Sequence, residues 1–459
     1  MWHPELPEGR GPRYLAIVEH LADDITSGSL QTGDRLPTHR DLARQLEVTV
    51  GTVSRAYQEA ERRGLVVGEV GRGTFVRSDP EELCPMGEMD DRDGLIDLAM
   101  NFPVRLPKEM GLQASLAQVA QSRGLRRLLD YQPHAGTESH RRAGAAWINR
   151  TGLAATSDRV LVCNGGQHAL MVILSAMTRP GDVVLTEELT YGGMKAIAGL
   201  RQLRLRGLPM DEHGLRPDLL LQALRANGAR ILYTMPSIHN PTGVVMPEQR
   251  RREIAGIARE HDVLVIEDDI FGFLLEDGPP TLSSFLPELS CFVTSISKSL
   301  APGLRIGYVL APERLIPRLT GTLWTTAGMA CTLGSEVAAT WIRDGKAERI
   351  VEWRREEAGV RQDIARRILG HLDYTTHPMS YHLWLQLPEP WRSDELANQC
   401  RQHGVAICPA ETFIVGRGQA PHAVRIALGA EESRDRLEKG LETVAAILSR
   451  APSCCQAIV

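Results

Sequence analysis

Lysine is scarce in this chain. Of 52 basic residues, five are lysine (Lys108, Lys195, Lys298, Lys346 and Lys439), so arginine is the default cation and each lysine invites a reason. Long apolar runs are missing too. None reaches the roughly 18 residues that span a bilayer, and the start, MWHPELPEGRGPR, lacks the apolar core of a signal peptide. A cytoplasmic protein with no membrane partner is expected. The eight cysteines are scattered, with no CxxC pair and no histidine cluster, which argues against a disulfide framework and against a zinc or other metal site. No excess of positive charge exists either: at a net charge of −5, attraction to nucleic acid has to come from a local patch. Repeats and low-complexity tracts are absent. What is present is a globular composition, 43% hydrophobic and 24% charged, over 459 residues, too many for one core and suited to two to four domains.

Residues 10–78 read as a separate unit. RYLAIVEHLADDITSG has helical apolar spacing (Leu15, Val18, Leu21, Ile25) and stops at Gly28. LPTHRDLARQL follows, with Thr38 as N-cap and Asp41 at the positive end of the helix. GTVSRAYQEAERRG predicts a third helix ended by Gly64, and LVVGEVGRGTFV two short strands around Gly71, Arg72 and Gly73. Three helices and a hairpin give the order of a winged helix-turn-helix. Residues 79–94 are rich in acids and poor in anything to bury, which predicts an exposed linker kept off DNA by its charge.

From residue 95 onward, short β-branched runs alternate with helical stretches: RVLVCNGG, DVVLTEE, ARILYTMPS, DVLVIEDDIF, CFVTSIS and RIGYVLA. The pattern predicts an α/β fold with a mostly parallel sheet over 95–344 and a smaller C-terminal α/β domain over 345–450. Ligands of such sheets gather at the carboxyl ends of strands. There CNGGQHA leaves a strand and opens a helix, SIHNPTG fixes an amide, and VIEDDIFG drives a carboxylate pair out of an apolar strand.

In that order these motifs resemble the fold-type I pyridoxal-phosphate enzymes, the aspartate-aminotransferase-like family. The resemblance covers about residues 95 to 448 and implies pyridoxal 5'-phosphate as cofactor. Lys298, in SISKSLAPGLRIGYV, matches the catalytic lysine that bonds the cofactor aldehyde. It is a lysine because arginine does not form an imine. Ser295, Ser297 and Arg305 match positions that hold the phosphate, as do Gly166 and Gln167. Asp268 matches the carboxylate on the ring nitrogen, Asn240 the amide on the ring oxygen, and Tyr191 the aromatic that stacks on the ring. Tyr131 matches a tyrosine that reaches the neighbouring subunit's phosphate, and Arg425 the clamp for a substrate carboxylate. One position departs: Phe271 stands where many relatives carry a tyrosine that also bonds the ring oxygen, which puts efficient transamination in doubt.

The first unit is similar to the winged-helix domain of the GntR family of bacterial regulators, in the punctuation Gly33, Leu36-Pro37, Arg40, Leu42-Ala43, Thr52-Val53, Gly64 and the 71–73 wing. By that resemblance Arg40, Thr49 and Thr52 face phosphates or base edges of a double-stranded DNA operator, with Arg55 nearby and Arg72 at the wing tip. Val50 and Gly51 depart from the usual pattern. A winged helix joined to an aminotransferase-like domain is the arrangement of the MocR subfamily. It implies head-to-tail homodimers and a regulator that senses an amino acid, an amine or the cofactor. The competing reading is an active aminotransferase that carries a winged helix.

Overall fold

The computed structural model describes residues 2, 12–27, 29–30, 34–63, 65–69, 73–76, 94–121, 124–416 and 418–450. They fall in two compact units, one drawn from Met1–Glu88 and Gly416–Ala420 and a larger one from Met89–Val415 and Pro421–Val459.

The first unit has helices α1 (Arg13–Ser27), α2 (His39–Gln45) and α3 (Val50–Arg62) and an antiparallel hairpin of β1 (Val66–Glu69) and β2 (Gly73–Val76). The apolar spacing of α1 turns Ile17, Val18 and Leu21 into a core with Leu42, Val53, Ala56 and Val76. Thr38 caps α2, accepting from the Asp41 amide at 3.3 Å while its hydroxyl donates to the Asp41 carboxylate at 2.6 Å. The Tyr57 hydroxyl, buried in that core, donates to the Pro37 carbonyl at 2.8 Å and so ties α3 to the entry of α2. Gly28, Gly33, Gly64, Gly71, Arg72 and residues 79–93 of the expected linker lie outside the described residues.

The larger unit holds two main sheets. Its strands are β3 (Ile96–Leu98), β4 (Val160–Cys163), β5 (Val183–Glu187), β6 (Arg204–Leu208), β7 (Met210–Asp211), β8 (Gly214–Leu215), β9 (Ile231–Thr234), β10 (Leu264–Asp268), β11 (Ser290–Ser295), β12 (Gly307–Leu310), β13 (Tyr374–Thr375), β14 (His382–Gln386), β15 (Val405–Pro409) and β16 (Ala423–Ala427). A seven-stranded sheet runs β4-β12-β11-β10-β9-β5-β6; all its pairings are parallel except those of β12, which is antiparallel to both neighbours. Every residue of β9, β10, β11 and β12 is buried, as a sheet covered by helices on both faces requires. The second sheet, β13-β14-β16-β15-β3, is antiparallel except for β15 with β3. Thus residues 96–98 pair with the C-terminal strands, far from them in sequence. Among the described residues no helix is long and apolar enough to cross a membrane.

One 24-residue helix, Lys346–Leu369, links these parts. Its Arg354 is 2% exposed and donates to the carbonyls of Ser299 at 3.2 Å, Leu300 at 2.9 Å and Val104. The guanidinium thereby braces the turn that follows Lys298. Close packing of the helix Glu138–Asn149 against β12 rests on Gly144, where a Cβ would lie 2.4 Å from the Tyr308 ring. Gly144→Ala should therefore destabilise the larger unit by about 1–3 kcal/mol, the usual cost of overpacking, read as a lower urea midpoint. An unchanged midpoint would show that the helix moves off the sheet freely.

Candidate functional site

The carboxyl ends of β4, β5, β9, β10 and β11 converge on one site. Lys298 sits in the single helical turn Ile296–Ser299 that follows β11. Its Nζ donates to the Asn101 carbonyl at 2.5 Å and lies 5.4 Å from the centre of the Phe102 ring. Loss of hydration, then the nearby Arg425 and Arg305 charges, push its pKa down to about 7. The amine is thus poised as a neutral nucleophile.

Asp268 ends β10, wholly buried. The Tyr233 hydroxyl donates to its Oδ2 at 2.7 Å, while Oδ1 has no partner. Burial raises its pKa to about 7; the Tyr233 bond opposes this, and the charges of Asp269 and Glu187 add to it. Tyr233 was not legible as a site residue. In the parallel pairing of β9 with β10 it stands opposite Ile266, two residues before Asp268, and only the sheet order reveals that.

An anion cradle lies at the end of β4. Gly165 has φ +85°, open to glycine, and a Cβ there would lie 2.8 Å from an Arg305 Nη. Gly166 starts the helix Gly166–Met177, whose N-cap Gly165 makes no side-chain cap bond, and the first amides of a helix suit an anion. Ser295 approaches to 3.5 Å of where a Gly166 Cβ would stand. Its hydroxyl is 3.0 Å from both the Ser297 hydroxyl and the Ile306 carbonyl. Gln167 accepts from the Tyr191 hydroxyl at 2.9 Å and donates to the Gly193 carbonyl at 3.1 Å, locking two helix starts together.

Arg425, in the middle of β16, is 6% exposed. Its Nη1 donates to Asn240 Oδ1 at 2.8 Å, its Nη2 to the Ala99 carbonyl, and its Nε has no partner. Burial lowers its pKa. His382 was also missed: its Nε2 donates to the His239 carbonyl at 3.1 Å, so Nδ1 accepts from the Asn101 amide at 2.9 Å. Burial, with Arg425 adding, holds it neutral with a pKa of about 3. Phe271 is buried against the rings of His382 (5.7 Å) and Tyr381 (6.2 Å). Tyr131 does not join the cluster. It is 96% exposed, and Leu129 (71%) and Trp324 (60%) are exposed as well.

In the first unit, Thr49 and Thr52 sit at the start of α3, where the Thr49 hydroxyl caps the helix. Thr49 accepts from the Thr52 amide at 3.1 Å, and the two hydroxyls are 2.9 Å apart. Arg55 stacks over the Tyr14 ring at 4.2 Å, and together with Arg13, Gly51, Thr49 and Thr52 they line a surface recess. Arg40 is exposed on α2, and Val50 is 45% exposed. Arg13, which lines the recess but belongs to no motif read in the sequence, was not legible.

Residues 94–444 match the model of aminotransferase class I and II. The chain belongs to that family. Residues 13–76 match the gntR family of bacterial regulatory proteins, so a GntR-type winged helix is fused to an aminotransferase-like domain, as in the MocR subfamily. The HTH-type transcriptional regulator YdeF of Bacillus subtilis is 29% identical over 440 residues, 96% of this chain and 95% of that protein. An aromatic-amino-acid aminotransferase of Thermococcus litoralis is 26% identical over 69% of this chain and 78% of its own. A multiple substrate aminotransferase from Thermococcus profundus has the same fold, with TM-score 0.72 and 24% identity over 81% of this chain and 97% of that one.

The Lys298 environment sets a pH dependence in this aminotransferase-like unit. The neutral amine is the reactive form, and its proton leaves near pH 7 instead of 10.5. Reductive methylation of Lys298 by formaldehyde should therefore rise between pH 6 and 8 and then level off, read by peptide mass spectrometry. A Lys298 profile that keeps rising toward pH 10 would remove the depressed pKa.

Proposed function

We propose that the protein is a transcription regulator that binds an operator through its winged helix, holds pyridoxal 5'-phosphate in its aminotransferase-like unit, and responds there to an amino acid, an amine or the cofactor. The observation that carries this reading is the pairing of a neutral-leaning Lys298 with a buried Asp268 whose Oδ1 has no partner. A protonated ring nitrogen is the donor that such an oxygen lacks, so the residues present fit the group. Gly166, Gln167, Ser295, Ser297 and Arg305 would hold its phosphate, Asn240 its ring oxygen, and Tyr191 its face. When bound, the group supplies an aldehyde that takes amines and a ring that withdraws electrons. Arg425 then offers its fork to an effector carboxylate, exchanging the Asn240 and Ala99 bonds for a bidentate ion pair. A buried phenylalanine at 271 removes one hydrogen-bond donor from the ring oxygen, which favours sensing over rapid turnover.

The likeness to YdeF along nearly the whole of both chains supports regulation rather than an aminotransferase with an incidental appendage. Exposed Leu129, Tyr131 and Trp324 support a homodimer, head-to-tail by resemblance, in which Tyr131 completes the partner's phosphate site. In the first unit Arg40, Arg55 and Arg72 would neutralise operator phosphates, and Arg13 joins them on the recess of Arg55. Thr49 and Thr52 would face phosphates or base edges, while the Thr49 hydroxyl also holds the first turn of α3 in shape.

Two measurements test this. Protein incubated with pyridoxal 5'-phosphate and reduced with borohydride should carry the label on Lys298, and Lys298→Ala should take up none covalently; a label on another lysine overturns the assignment. Operator affinity at fixed salt should differ by roughly 5–150-fold between protein alone, with cofactor, and with cofactor plus amino acid, the range of a typical coupling. Equal affinity in all three states, together with multiple-turnover transamination, would establish the enzyme instead.

A further inference from the structure

A second cavity, of about 150 Å³, opens in the larger unit between the carboxyl end of β10, the loop 272–281 and the end of the helix Glu138–Asn149. None of the residues assigned above to cofactor or effector lines it. Two of its lining side chains are buried with an unpartnered oxygen: Asp269 (3% exposed) through Oδ1 and Thr281 (5%) through Oγ1. The carboxylate can face this space because residue 272 is glycine; a Cβ there would lie 2.3 Å from both Asp269 oxygens. Ser237 bonds the Asp269 carboxylate. The Arg251 charge that acts on it is already paired with Glu267 at 3.8 Å. Asp269 thus retains an acceptor aimed at a cavity with room for a ligand of several heavy atoms. Arg355 also lines that cavity. It donates Nε to the Phe273 carbonyl at 2.8 Å and one Nη to that of Leu275 at 3.2 Å, which fixes the guanidinium in the wall.

We propose that this cavity is a second ligand site, for a small amino acid whose ammonium rests on Asp269 and Thr281 and whose carboxylate faces Arg355. An ammonium brings three donors to two waiting acceptors, and a guanidinium suits a carboxylate. The position is consequential because Asp269 adjoins Asp268 and its charge opposes the ionisation of that neighbour. An ammonium on Asp269 relieves the opposition, so a filled cavity reports directly to the strand end that carries Asp268.

The test uses full-length Arg425→Ala protein without cofactor, so that the effector site proposed above neither contributes binding nor has to exist. Calorimetry should show β-alanine binding at one per chain. Ethylammonium should bind more weakly, and acetate not measurably. Adding Asp269→Asn should weaken β-alanine at least tenfold, and adding Thr281→Val severalfold; either variant alone suffices if the other fails to fold. Arg355→Met should weaken β-alanine without affecting ethylammonium. No binding to the Arg425→Ala protein, meaning that the cavity holds only water, would overturn the proposal. So would acetate binding as tightly as β-alanine, or β-alanine affinity indifferent to both Asp269→Asn and Thr281→Val.

Discussion

Three cations spend hydrogen bonds on the carbonyls of one short stretch, residues 99–104. Arg425 reaches Ala99, Lys298 reaches Asn101, and Arg354 reaches Val104. The stretch follows β3, which pairs with β15, so it leaves the second sheet and runs past the end of the first. Carbonyl oxygens carry only partial charge. They satisfy donors without neutralising them, and three positive groups remain close together in a partly dehydrated space. Burial first, then the Arg425 and Arg305 charges, make the Lys298 amine easily deprotonated, and the buried Arg425 keeps an Nε without a partner. A full anion would be drawn to this place from solution.

The opposite problem stands at the end of β10. Glu187, Glu267, Asp268 and Asp269 are all buried, at 1%, 0%, 0% and 3% exposure. Glu267 is met by Arg251 and by the amides of Leu282 and Ser283, and Glu187 by Thr234, Thr186 and the Met235 amide. Asp268 and Asp269 each keep one bare oxygen. Stability alone does not call for such groups, because buried polar atoms without partners weaken a fold. Their concentration at strand ends marks places where partners are supplied from outside.

Much of this was legible in the sequence, for a physical reason. Lys298, Asp268, Asn240 and Gly166 lie at or shortly after the ends of apolar β-branched runs and Arg305 just before one, and a sheet brings such ends together in whatever order its strands pair. The helices of the winged unit were legible through the Thr38 cap, the apolar spacing of α1 and the glycines expected to end the first and third. Illegible were the residues whose role depends on strand neighbours. Tyr233 reaches Asp268 only because β9 adjoins β10, and Asn101 and His382 meet across 281 residues of sequence. The antiparallel β12 carries no mark of its direction in its composition, since Gly307–Leu310 is as apolar as its parallel neighbours. Thr49 and Thr52 were read as reaching for DNA; that the Thr49 hydroxyl also satisfies an orphan amide at the start of α3 was not read from the sequence.

Phe271 and Tyr233 together suggest how the site divides its labour. The hydroxyl missing at 271 is a donor removed from one edge of the site, where aromatic rings of Tyr381 and His382 pack instead. At the other edge Tyr233 supplies a donor to Asp268. That bond favours the carboxylate form against burial and against the charges of Asp269 and Glu187, and the balance leaves the group near pH 7. A carboxyl held at that balance changes its charge with small changes around it. A cation arriving at its bare oxygen tips it to the anion, and a change of charge on Asp269 shifts it from behind.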